Sequence, residues 1–151
     1  GLRASLTGMS EFVRVLYQDY LGIRIDATSN QITLQPKLPD ALTSMDFTVY
    51  AGRHPIHAMI MRGKETSRIT LSAPDLLEGM RLRLLWMLDN GDAWRGSAVL
   101  PPDTLLTIVI GNDDILAYQG DTRIELTGKG KLQHFSQRSE ITGFDFAEPH
   151  R

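Results

Sequence analysis

The sequence predicts a mainly β protein: an antiparallel β-sandwich with one N-terminal amphipathic helix. Three observations carry this. Apolar and polar residues alternate in short runs from Gln31 onward. Turn signals recur roughly every 8 to 12 residues, the spacing of a sandwich or barrel. Only the opening stretch repeats its apolar residues with the period of a helix.

In that stretch Met9, Phe12, Val13, Leu16 and Tyr20 share one helical face, with Val15 and Leu21 widening it. Ser5 or Thr7 suits the N-cap, and Gly22 suits the left-handed position after the last turn. Asp26 to Asn30 reads as a turn, Gln31 to Gln35 as a half-buried strand, and Pro36 and Pro39 end it. Met45 to Tyr50 and Ile56 to Ile60 form a hairpin around Ala51-Gly-Arg-His-Pro55. Arg68 to Ser72 follows, and the loop 73–79 has room for one helical turn.

Met80 to Leu88 is expected to be the longest and a central strand. Met80, Leu82, Leu84, Trp86 and Leu88 fill one side, while Arg81 and Arg83, then Leu85 and Met87, fill the other. Asp89-Asn-Gly-Asp92 predicts a type I′ hairpin turn. Ala93 to Leu100, Thr104 to Ile110, Ile115 to Gln119 and a last strand from Thr122 to Thr127 complete the reading. Residues 1–22 thus form a terminal helix, 23–127 the sandwich, and 128–151 a polar extension partly packed through Ile141, Phe144 and Phe146.

At 151 residues and 42% apolar content, one ordinary globular domain is expected. A net charge of −2 gives no electrostatic reason to expect nucleic acid or an acidic membrane as partner. No apolar run reaches the ~18 residues of a membrane span. GLRASLTG lacks the regions of a signal peptide, and without cysteine there are no disulfides or thiolate metal sites. A cytoplasmic protein without cofactor or metal is expected. Asp89, Asp92, Asp113 and Asp114 do not follow an EF-hand spacing and read as turn formers. His54 and His57 lie far in sequence from His134 and His150, so a zinc site is not expected.

The wording of the opening third is more specific than its pattern. Glu11-Phe-Val-Arg-Val-Leu-Tyr-Gln-Asp-Tyr-Leu-Gly-Ile23, then Ile32-Thr-Leu-Gln-Pro-Lys-Leu-Pro39 and Met45-Asp-Phe-Thr-Val-Tyr-Ala-Gly52, resembles the C-terminal region of bacterial amylo-α-1,6-glucosidase-type glycogen debranching enzymes. The resemblance implies that residues 1–22 correspond to the last helix of an (α/α)6 barrel and the remainder to the sandwich behind it. It implies as partner the missing catalytic barrel of the same polypeptide, with an α-glucan as substrate class. Glu11 stands where the family's general base sits, although Thr7 replaces the tryptophan of that motif. The plain reading of Glu11 is a solvated helix carboxylate. An inverting glycosidase needs two carboxyls roughly 6.5 to 9.5 Å apart, so the chain alone is expected to be inactive. Trp94 and Tyr118, flanking turns, are the candidate sugar-stacking residues, whereas Trp86 reads as core.

Overall fold

The computed structural model describes residues 2–5, 22–37 and 43–134, with side-chain surroundings from residue 22 on. Residues 6–21 of the expected helix, and Glu11 with them, lie outside the described residues, whereas Leu2–Ser5, expected within that helix with Ser5 as a candidate cap, form a strand. The described residues are mainly β and form two sheets, with no helix among them. The strands are β1 (Leu2–Ser5), β2 (Ile23–Asp26), β3 (Gln31–Leu34), β4 (Ser44–Ala51), β5 (His54–Arg62) and β6 (Thr66–Ser72). They continue as β7 (Met80–Met87), β8 (Ala93–Leu100), β9 (Leu106–Gly111), β10 (Ile115–Gln119), β11 (Thr122–Ile124) and β12 (Thr127–Leu132).

A seven-stranded sheet has the order β1-β4-β5-β6-β9-β10-β11, and a five-stranded sheet the order β12-β8-β7-β3-β2. The chain changes layer between β1 and β2, β3 and β4, β6 and β7, β8 and β9, and β11 and β12. These crossings explain why the sandwich is not wholly antiparallel. β3 leaves the smaller sheet, the chain makes three strands of the larger one, and β7 returns parallel to β3. β1 also pairs parallel to β4. β7 is the central strand of its sheet, as its two-sided apolar pattern predicts. It has eight residues, and β5 is longer at nine.

Alternation sets the core. Met45, Phe47 and Val49 of β4, Ile56, Ala58 and Ile60 of β5, and Ile69 and Leu71 of β6 point inward from the larger sheet. They meet Ile32, Leu34, Leu82, Leu84, Trp86, Ala98 and Leu100 from the smaller one. Burying each of the Val, Leu, Ile, Phe and Met side chains among these stabilises by about 1.5–3 kcal/mol relative to exposure.

Several local expectations change. β2 occupies the stretch between the expected helix and the turn at Asp26, where no strand is expected, and it pairs with β3 from Ile23–Leu34 to Asp26–Gln31. The loop 73–79 holds a turn rather than helix, closed by Leu76 N–H donating to the Ala73 carbonyl. The β7–β8 turn keeps its place but not its type. Of the turn pair Asn90-Gly91 only Gly91 has positive φ, at 91°. Gly91 N–H donates to Leu88 O and Leu88 N–H to Asp92 O, the pattern of a type I turn closed by a left-handed glycine. The expected strand 122–127 is two strands, because the chain changes sheet at Glu125-Leu126. Leu126 drops into the core over Gly96, where a Cβ would stand 3.1 Å from it. Pairing of β12 with β8 then takes up the first residues of the stretch expected to be an extension.

Candidate functional site

One end of the sandwich opens into a cleft of about 330 Å³. Its rim is the β5–β6 turn around Gly63, the end of β7 from Trp86 to Asp89, the β9–β10 turn at Gly111-Asn112, and Pro36-Lys37 behind β3. Charges of both signs face it, Lys37, Arg62 and Lys64 against Glu65 and Asp89, with the Trp86 indole as apolar wall. Donors and acceptors around a small cleft suit a polar ligand. Among the described residues no group of His, Asp or Glu is arranged to hold a metal ion.

The candidate stacking residues do not meet. Trp94 lies on the inner face of the smaller sheet, opposite Trp86, and is only 6% exposed. Its Nε1–H donates to the Gly111 carbonyl at 2.8 Å, and the Lys131 ammonium stands 5.4 Å from its ring centroid. The open face that sugar stacking needs is therefore taken. Trp94 instead pins the turn that forms one rim of the cleft. Tyr118 is half-buried on the outer face of the larger sheet, between Thr107 and Arg123. The two rings are in different layers and form no common platform.

The turn acids are held by β12. Lys129 Nζ lies 2.8 Å from Asp114 Oδ1, and Lys131 donates to the Asn112 carbonyl and lies 4.0 Å from Asp92 Oδ2. Beyond the strand, His134 N–H donates to Asp92 Oδ1 at 2.9 Å. The Lys129 hydrogen bond, with the Ile115 N–H, holds the Asp114 carboxyl below its ordinary value. For Asp92 the His134 N–H is the main cause of the same shift, followed by Asn90 and the Lys131 charge. Asp26 is lowered as well, chiefly by hydrogen bonding to Ser29, in a turn whose Thr28 and Ser29 N–H groups cap its carboxylate. His57 shares a hydrogen bond of 3.1 Å with Thr48 on an exposed strand pair, away from His134.

A second feature escaped the sequence reading. Register places Arg24, Arg81, Arg83 and Arg95 on the outer face of the smaller sheet, with Asp26 at its corner. Arg81 donates to Ser97 Oγ and Arg83 to Gln31 Oε1. The alternation of Arg81 and Arg83 is visible in sequence, but their gathering with Arg24 and Arg95 depends on the strand order. Comparison of the chain with family models, with curated proteins and with solved structures found no match.

Proposed function

We propose that this chain is the C-terminal accessory sandwich of a glycogen-debranching-type glycoside hydrolase, a structural support for the catalytic barrel of the same polypeptide. The observation that carries the reading is the joint at Gly22. Its carbonyl accepts the Gln35 N–H at 3.0 Å, so the β2–β3 ladder continues through it. In the sequence the helix-patterned stretch adjoins this joint directly, with no linker between. A last barrel helix followed immediately by a supporting sandwich requires such a joint. The resemblance of the wording on both sides of Gly22 supports the same reading, and the cysteine-free sequence accords with a cytoplasmic setting. On this proposal Glu11 is at most half of a carboxyl pair, and the purified chain releases no glucose from limit dextrin. Measurable release by the chain alone overturns the proposal. A reading frame that carries a helical barrel upstream is the expected genomic companion.

The end cleft favours a second reading, a carbohydrate-binding module. On that reading the sugar is held by the charged rim through hydrogen bonds rather than by stacking on Trp94 and Tyr118, since Trp86, like Trp94, is only 6% exposed. Calorimetric titration with maltotriose separates the two. Heat that saturates at millimolar sugar and is lost in Lys64→Ala supports the module; a flat titration removes it.

A further inference from the structure

We propose that the outer face of the five-stranded sheet is the seat of the chain's own C-terminal segment, residues 139–149, Ser-Glu-Ile-Thr-Gly-Phe-Asp-Phe-Ala-Glu-Pro. Side chains are buried on a side of this sheet that has no second layer among the described residues. Leu85 alternates with the inward Leu84 and Trp86 and pairs with Arg95, so it points outward, yet it is 1% exposed. Ala93, on the same outer face, is 0% exposed. Met87 and Leu132 pack with them in a small cluster separate from the main core. A leucine on a central strand, flanked only by the side chains of its own sheet, keeps part of its surface open to water. These values require a cover.

Charge and chain path select the occupant. The apolar cluster is continuous with the arginine rows, and the Nε of Arg95 is buried with no hydrogen-bond partner among the described residues. A buried donor of this kind is costly unless an acceptor reaches it. Residues 139–149 hold Glu140, Asp145 and Glu148 with no basic residue, interleaved with Ile141, Phe144 and Phe146. They carry apolar side chains for the cluster and carboxylates for the guanidinium groups.

The chain also leaves the described fold at this place. Leu132, the last residue of β12, pairs with Ala93. Ten extended residues reach ~33 Å, against ~19 Å across five strands. Residues 6–21 are less suited. They run from β1, at the edge of the larger sheet, to Gly22 beside β2, and β2 lies against β4. Both anchors are at the margin of the sandwich opposite β12.

The absence of cysteine gives a direct test. Leu85→Cys in the full chain reports the cover through its rate of alkylation by a maleimide. The pair Phe144→Ser and Phe146→Ser is expected to raise that rate about tenfold or more, as is Asp145→Lys with Glu148→Lys, by opening the site locally. Ile69→Cys, in the core of the other sheet, must stay protected in the same backgrounds, which excludes general unfolding. No change on altering the C-terminal residues overturns the proposal. So does a rise produced by Phe12→Ser instead, which assigns the cover to residues 6–21. A rate that falls with protein concentration also overturns it, because the cover is then a second copy. Should Leu85→Cys loosen the sheet, a nitroxide at Thr127→Cys, exposed beside the arginine rows, is expected to broaden the amide signals of 139–149. Unbroadened signals overturn the proposal equally.

Discussion

At the scale of single residues, Gly22 shows how backbone geometry dictates identity. Its φ is 58°, and a Cβ there would stand 2.0 Å from the Gln35 carbonyl oxygen. Two costs therefore fall on Gly22→Ala: about 1–2 kcal/mol for the left-handed backbone, and the displacement of a ladder carbonyl that no rotamer relieves. Gly52 is the control, with φ of 64° but nothing within 4 Å of its Cβ position. Gly52→Ala is expected to lose about 1 kcal/mol and Gly22→Ala about 3 kcal/mol, read from urea unfolding followed by circular dichroism. Equal losses would mean that Gln35 yields freely and that the joint is not rigid. Trp94 teaches the complementary lesson. Its place beside a turn made it a surface candidate, yet its indole N–H finds a carbonyl of the opposite sheet and its rings fill the core. Nothing local to residues 93–95 distinguishes the two outcomes, because the deciding partner, Gly111, belongs to a strand of the other layer.

At the scale of elements, β12 acts as a latch. Its lysines close on the acids of the β7–β8 and β9–β10 turns, whose carboxyl pKa values are lowered in the fold. A lowered value means that the unfolded chain binds protons more readily, so stability falls with acid. The contribution is fully present well above the ordinary value of 3.8 and is lost as pH falls through the folded value beneath it. Lys129→Met is therefore expected to lower the melting temperature at roughly pH 6, and that loss is expected to shrink as the pH falls below the ordinary carboxyl value and Asp114 takes up its proton. A parallel loss at both values would show that Lys129 works through packing. The strands from β4 to β10 were legible in sequence because each buries one face and is bounded by a turn signal. β1, β2 and β12 were not. All three are edge strands, which are short, pair along one side only and carry charges, as Arg3, Arg24 and Lys129 show. The break at Leu126 was hidden because Thr122 to Thr127 reads as one alternating run, and only the space over Gly96 draws Leu126 inward.

At the scale of the whole molecule, the two sheets are not separable units. Each time the chain completes a short set of strands it changes layer, and the main core cluster draws side chains from both sheets at once. The pairings that hold the smaller sheet are distant in sequence: β3 waits for β7, and β8 for β12. Neither layer can bury its apolar face before the other exists, so partial structures gain little and the entropy of closing long loops is spent first. Two consequences follow from one cause. Folding is expected on the millisecond-to-second scale of non-local β topologies rather than in microseconds. Unfolding is expected as one transition in which calorimetric and van't Hoff enthalpies agree, with a heat-capacity increase of about 2 kcal/mol/K for a chain of this length. A Leu84→Ala variant, emptying a fully buried site in the centre of the smaller sheet, should shift that single transition down by a loss of about 2–5 kcal/mol without splitting it. Two resolved transitions, or a variant that melts the smaller sheet while the amides of β5 and β6 stay protected from exchange, would show that the larger sheet holds itself together. That outcome would reassign the core from a shared interior to a docking surface between layers.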